Sequence, residues 1–321
     1  MVNDGLRLTA TLVEQAYHVI GPFLAPTPLV RSKGRSGRPV YLKLETDQPT
    51  GSFKVRGALS NLLRQPGNPA GFVTASAGNH GLGLAWAVKH SGRREGVTIF
   101  IPGSAPQTKV SKLRLYPVNL RIVGETFDDA ERLAHEFEGE TGARFVHAYD
   151  DPLTAAGQGT MAIEIHEAMP DKQPIGTLVV PVGGGGLISG NAAWFKKRHP
   201  ATRIVAVQAD ASPSLSESIR LGKALLEYPA GPTLADGLSG GIGRIVFEHR
   251  DLLDEVVNVP EERIRAAIRS LHLEDQVRAE ASGAITVAAL DLEQSRSWPE
   301  PIVCVITGSN IDDAVFGPIV G

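Results

Sequence analysis

Apolar positions along the chain gather into short β-branched runs separated by longer stretches with helical spacing. The runs VYLKLE (40–45), GFVTAS (71–76), VTIFIP (97–102), LRIVG (120–124), ARFVHA (143–148), TLVVPV (177–182), RIVAVQA (203–209) and PIVCVIT (301–307) predict strands. Between them the spacing predicts helices over 56–64, 79–90, 107–116, 126–141, 155–168, 187–198, 214–222, 260–272 and 282–293. Such alternation predicts an α/β protein with mostly parallel sheets. Several runs are apolar on both faces, as strands covered by helices on each side must be. Turn formers at QPGNPAG (65–71) and YDDP (149–152) mark boundaries near 70 and 150. A small unit, 71–148, is thereby inserted into a larger one made of 1–70 and 149–321, with a cleft where their strand ends meet.

Composition removes several classes of function. The 321 residues carry a net charge of −3 without a basic stripe, so no nucleic-acid partner is expected. The start, MVNDGLRLTATLVEQAY, lacks a basic segment followed by an apolar one, and no apolar run approaches the roughly 20 residues of a membrane span. The cytoplasm is therefore the expected location. Cys304 is the single cysteine and sits inside PIVCVIT, which predicts a buried small hydrophobe and no internal disulfide. The nine histidines show neither HExxH nor Cys/His ligand spacing, so no zinc site is expected.

Four segments could carry chemistry in the cleft. In PVGGGGLISGN (181–191), four glycines join a strand to a helix. Backbone N–H groups and the helix N-terminus there suit a phosphate, the other reading being a tight turn. The glycines fit neither GxGxxG nor the P-loop, which weakens a nicotinamide oxidoreductase. In TASAGNHGLGLAWAVKH (74–90), Ser76, Gly78 and Asn79 could seat a carboxylate or simply cap the helix. Lys54, behind Gly51-Ser52 and beside Phe53, is either a solvated charge or a desolvated amine able to form a Schiff base. In VITGSNID (305–312), Thr307 could offer a hydroxyl to a heterocycle nitrogen or merely end a strand. GLSGG (237–241) matches GxSxG in letters, but turn formers precede it, so a hydrolase triad is not expected.

Together these features describe a pyridoxal 5′-phosphate site. The chain resembles the fold type II (tryptophan synthase β-like) pyridoxal-phosphate enzymes, most of all their serine/threonine dehydratase (ammonia-lyase) branch. The match runs from TPLVRS (27–32) to TGSNID (307–312), and LKLETDQPTGSFKVRGA (42–58) resembles the cofactor-lysine motif very closely. The resemblance implies a two-lobed fold, the small lobe inserted into the large one. It also implies that Lys54 carries the cofactor and acts as the catalytic base, with Phe53 flanking the ring and Asn79 at the ring hydroxyl. Gly183, Gly184, Gly185, Gly186 and Leu187 would bind the cofactor phosphate and Thr307 would face the pyridine nitrogen. Ser76, Ala77, Gly78, Asn79 and His80 would hold the substrate carboxylate.

Four departures from related branches bear on activity. Serine racemases carry a serine where Ala77 stands, so racemisation is expected to be poor. Where members with a divalent cation use acidic ligands, this chain has Gln208, Ser212 and Ser214, and no metal is expected. Glu280 in AEASG matches a family glutamate near the ring, although Ala281 replaces the usual proline. The chain stops soon after Thr307, so no C-terminal regulatory domain is expected. The implied reaction is loss of water from threonine or serine, giving a 2-keto acid and ammonia. Alternatives are a dehydratase for another 3-hydroxy amino acid such as 3-hydroxyaspartate, or a non-catalytic binder of pyridoxal phosphate or phosphorylated ligands. A homodimer is what the family implies.

Overall fold

The computed structural model describes residues 5–65, 67–68 and 70–321. Pro66 and Pro69, inside the segment where the first boundary is read, lie outside the described residues, as does the start of the opening stretch. In chain order the elements are α1 (Ala10–Ile20), β1 (Leu29–Arg31), β2 (Val40–Leu44), α2 (Lys54–Arg64), β3 (Phe72–Ala75), α3 (Asn79–His90), β4 (Val97–Ile101) and α4 (Gln107–Leu113). There follow β5 (Asn119–Ile122), α5 (Phe127–Thr141), β6 (Arg144–Phe145), α6 (Pro152–Ala168), β7 (Thr177–Pro181), α7 (Gly186–Arg198) and β8 (Arg203–Ala209). The rest comprises α8 (Ser214–Leu221), α9 (Arg244–Glu248), β9 (Glu255–Val259), α10 (Glu261–Asp275), α11 (Ala281–Ala288), β10 (Ile302–Ile306) and α12 (Asp313–Val320).

Two sheets organise the molecule. One has six strands in the order β1-β2-β10-β7-β8-β9, the other four in the order β5-β4-β3-β6. Every pairing is parallel except β1 with β2. All four strands of the smaller sheet fall between β2 and β7 of the larger in sequence. The fold is therefore α/β with mainly parallel sheets, as the alternation predicts.

Double-sided burial accounts for the strand composition. Alternate residues of β7, β8 and β10 face opposite ways: Val180, Ile204 and Val303 pack with α1, α6 and α7. Val179, Val205 and Cys304 pack with α10 and α11. Cys304 is fully buried, and burial pushes its thiol up to about 12, so it is the inert hydrophobe expected. In the smaller sheet, Phe72, Val97 and Ile99 pack under α2, α3 and α4, while Val73 and Phe100 pack against α5.

A closed set of charges fixes α2. The Arg56 guanidinium donates Nε to Glu45 Oε2 at 2.7 Å and Nη1 to Glu164 Oε1 at 2.6 Å. Lys43 Nζ lies 2.6 Å from Glu164 Oε2 and donates to the Thr27 carbonyl at 2.7 Å. Two cations and two carboxylates thus meet without solvent, joining β2, α2 and α6, and a buried charge is tolerated only when so partnered.

The structure also corrects some expectations. α2 begins at Lys54 rather than 56, because the backbone of Phe53 is already helical (φ −59°, ψ −19°). α6 begins at Pro152, where Asp151 caps the N–H groups of Leu153 and Thr154 and proline suits the first turn. α4 ends at Leu113, and α11 ends at Ala288 before two short tight turns. The elements α1, β1, α9, β9 and α12 have no counterpart in the predicted pattern.

Candidate active site

The local reason for the placement of Lys54 lies in its turn. Gly51 takes φ +69°, which an L side chain rarely adopts, and a Cβ there would lie 3.2 Å from Ser309 Oγ and Asn310 Oδ1. This lets the 51–53 segment lie against the end of β10: Ser52 bridges Gly308, and the Phe53 N–H donates to the Thr307 carbonyl at 3.0 Å. Lys54 then opens α2 and its side chain enters a cleft of about 1380 Å³ between the two sheets.

That cleft brings together every sequence-predicted site residue. Phe53, Lys54, Ser76, Ala77, Gly78, Asn79, His80, Gly183 to Leu187 and Thr307 all line it. Lys54 Nζ donates to the Ala148 carbonyl at 3.1 Å and stands 5.2 Å from the Phe53 ring centre. Burial pushes this amine down to about 8, against the opposing pull of Glu280. Glu280 itself is pushed up to about 7, mainly by burial, while hydrogen bonding from Asn79 opposes the rise. Burial also lowers His80 to about 3 and His147 to about 4, so both imidazoles are neutral at pH 7. Nε2 of His80 bonds to the Val146 carbonyl at 2.9 Å, the role of an interior histidine.

The glycine loop is a cradle that side chains would fill. A Cβ on Gly184 would meet the Tyr149 ring at 2.2 Å, and one on Gly186 the Tyr149 carbonyl at 2.6 Å. Gly185 combines φ +88° with a hypothetical Cβ only 2.3 Å from Val246 Cβ. The N–H groups from Gly183 to Leu187 have no backbone acceptor among the described residues, and they lie at the N-terminus of α7. Unpaired donors at a helix start, with an amine across the same cleft, fit an anionic, aldehyde-bearing group. His80 and Gln158 also line the cleft, and the buried His80 Nδ1 and Gln158 Nε2 lack a partner among the described residues. The residues present therefore fit pyridoxal phosphate.

Sequence reasoning missed several parts of the cleft. The Ala148 carbonyl, Tyr149 and Gln158 line it, as does the 236–241 turn that contains the GLSGG letters. Only burial and long-range contact identify these, and no local motif marks them. Asn310 also lines the cleft and was within reach, three residues beyond Thr307 in VITGSNID. Gln208 lies elsewhere: its Oε1 accepts from the Leu215 and Ser216 N–H groups at 3.0 and 3.2 Å, capping α8.

Comparison with known proteins agrees with this geometry. The family model described as pyridoxal-phosphate dependent enzyme matches residues 20–308. The chain is 38% identical over 321 residues to an L-threonine ammonia-lyase of Geobacter sulfurreducens, covering 98% of this chain and 78% of that one. The processed form of threonine deaminase isoform 2 from Solanum lycopersicum superposes with a TM-score of 0.88 at 30% identity, covering 98% of this chain and 89% of the other. A maize serine racemase superposes with a TM-score of 0.90 at 30% identity, covering 98% and 97%. Among the described residues no helix is long and apolar enough to cross a membrane. With the lysine, the glycine cradle and these relatives in agreement, the chain belongs to the pyridoxal-phosphate-dependent enzymes of fold type II, in their serine/threonine dehydratase branch.

Proposed function

We propose that this enzyme removes water from a 3-hydroxy amino acid, threonine or serine, and releases the corresponding 2-keto acid and ammonia. The observation that carries the reading is the meeting of Lys54 and the Gly183–Leu187 cradle in one cleft. The relatives named for threonine support the substrate class.

When bound, pyridoxal phosphate supplies the electron sink for the reaction. The N–H groups from Gly183 to Leu187 would hold its phosphate, and Phe53 would pack beside its ring. Ser76, Ala77, Gly78, Asn79 and His80 seat the substrate carboxylate at the start of α3, where unpaired N–H groups and the helix dipole favour an anion. Lys54 Nζ, in the cleft beside the Ala148 carbonyl, would remove the substrate's Cα proton. Its lowered proton affinity leaves a useful fraction unprotonated near neutral pH. The β-hydroxyl departs as water, and a second water adds at carbon as ammonia leaves, so the net change converts threonine to a 2-keto acid plus ammonia. Thr307, buried, would face the pyridine nitrogen with a neutral hydroxyl rather than a carboxylate, which would favour prompt loss of the β-substituent. In the same reading residues 71–148 form a small lobe and 1–70 with 149–321 the large one, each supplying one wall of the cleft.

A screen for keto-acid release across threonine, serine, both 3-hydroxyaspartate diastereomers and phenylserine tests the proposal. Turnover of threonine or serine is expected. Turnover of hydroxyaspartate alone would replace the substrate, and no turnover of any would leave a binding protein.

A further inference from the structure

Asn79 does not sit alone beside the cleft. Its Nδ2 donates to Glu280 Oε1 at 2.9 Å and Oε2 at 3.2 Å, and its Oδ1 accepts from Asn310 Nδ2 at 2.8 Å. Asn310 Nδ2 also donates to the Thr50 carbonyl at 2.8 Å, while its Oδ1 accepts from Lys112 Nζ at 3.2 Å. The end members of this chain leave little choice of direction. A lysine ammonium only donates, and a main-chain carbonyl only accepts. Together they fix which end of the Asn310 amide faces which way. Asn310 must then donate to Asn79, which turns the Asn79 Oδ1 toward Asn310 and its NH₂ toward Glu280. Both Glu280 contacts go to one carboxylate, so a single bifurcated N–H of Asn79 satisfies them and the second N–H can serve a bound ligand.

The series also crosses the cleft. Lys112 belongs to α4 and Asn79 to α3, both packed on the four-stranded sheet, whereas Asn310, Thr50 and Glu280 belong to the six-stranded side. Two further side chains of α4 reach the same way, Lys109 to Asp236 at 3.5 Å and Thr108 to Asp312 at 3.4 Å.

We propose that Asn310, oriented by Lys112 across the cleft, is a positioning residue that holds the Asn79 amide with its free N–H toward the cofactor's ring oxygen. The inference rests on the reading of Asn79 as the neighbour of that oxygen. It makes the direction of the hydrogen bonds, rather than the bulk of the side chains, the feature that matters. Asn310→Asp keeps the volume but removes the donor, so two acceptors face each other and the Asn79 amide must turn over. Its oxygen would then meet Glu280.

The test is titration of pyridoxal phosphate into the full chain, read by affinity and by the position of the visible absorption band, for N310D, K112M and N79A. N310D is expected to weaken the cofactor about tenfold and shift the band, K112M about threefold in the same direction, the scale of one lost hydrogen bond. K112M, on the exposed face of α4, keeps the test open should N310D fail to fold. Wild-type affinity and band in both, with N79A weakened, overturns the relay and leaves the ring contact standing. An unchanged N79A overturns the contact and the relay together.

Discussion

Arg56 and Glu164 meet at 2.6 Å with side-chain exposures of 1% and 3%. Arg56 lies two residues beyond Lys54 on α2, so this contact sets where the reactive amine is presented. The surrounding set balances, Lys43 and Arg56 against Glu45 and Glu164, with Glu164 shared by both cations and Arg56 by both carboxylates. Glu164→Ala would strand two cations beside one carboxylate. It is expected to lower unfolding stability by about 3–5 kcal/mol, measured by denaturant titration. A loss under about 1 kcal/mol, the value of an exposed pair, would show that the set is not the anchor described.

The glycine cradle makes a separate prediction. At Gly185 an added methyl group meets Val246 and the backbone already sits at φ +88°, so neither space nor conformation allows it. Gly185→Ala is expected to cost about 1–3 kcal/mol of stability and to abolish saturable cofactor binding. Cofactor absorbance titration together with a thermal melt checks both. Retained affinity at reduced stability would separate the loop from phosphate binding.

Proton affinities in the cleft predict a pH profile. A base acts when unprotonated, and the Lys54 amine stands at about 8, so kcat should rise with pH through that region. The Glu280 charge favours the protonated amine, and with Glu280 at about 7 that charge is present over most of the rise. Glu280→Gln removes it, so the midpoint should move to lower pH. Neutral His80 and His147 add no competing titration there, being held at about 3 and 4. A midpoint that stays put or moves upward in Glu280→Gln would contradict the assignment of Lys54 as the base.

Ala77 supplies a prediction about outcome rather than rate. It lines the cleft without a titratable group, although a serine racemase shares the fold at a TM-score of 0.90. Incubated with L-serine, the enzyme should yield keto acid without D-serine. Ala77→Ser should begin to release D-serine on a chiral column. Substantial D-serine from the unaltered enzyme would mean that another group serves the second face.

Legibility in the sequence followed locality. Strands such as RIVAVQA and PIVCVIT announce themselves because both faces are buried and nearly every position is apolar. β9, in which Glu255 and Asn258 flank valines at the sheet edge, and the three-residue β1 carry too little signal in their own letters. The site motifs were readable because each lies at a strand end or a helix start, where small residues and glycines have few alternative purposes. Tyr149 and the Ala148 carbonyl were not, since each matters only through what lies opposite it across the cleft. Nor did Lys43, Glu45, Arg56 and Glu164 look unlike surface charges until the packing closed over them.

The most direct test of the central claim is borohydride reduction of the purified, cofactor-loaded enzyme followed by peptide mass spectrometry. Reduction should erase the visible band and leave a reduced pyridoxyl adduct on Lys54, with Lys54→Ala showing neither band nor turnover. An adduct on a different lysine while Lys54 stays unmodified, or a Lys54→Ala variant that still turns over threonine, would contradict it.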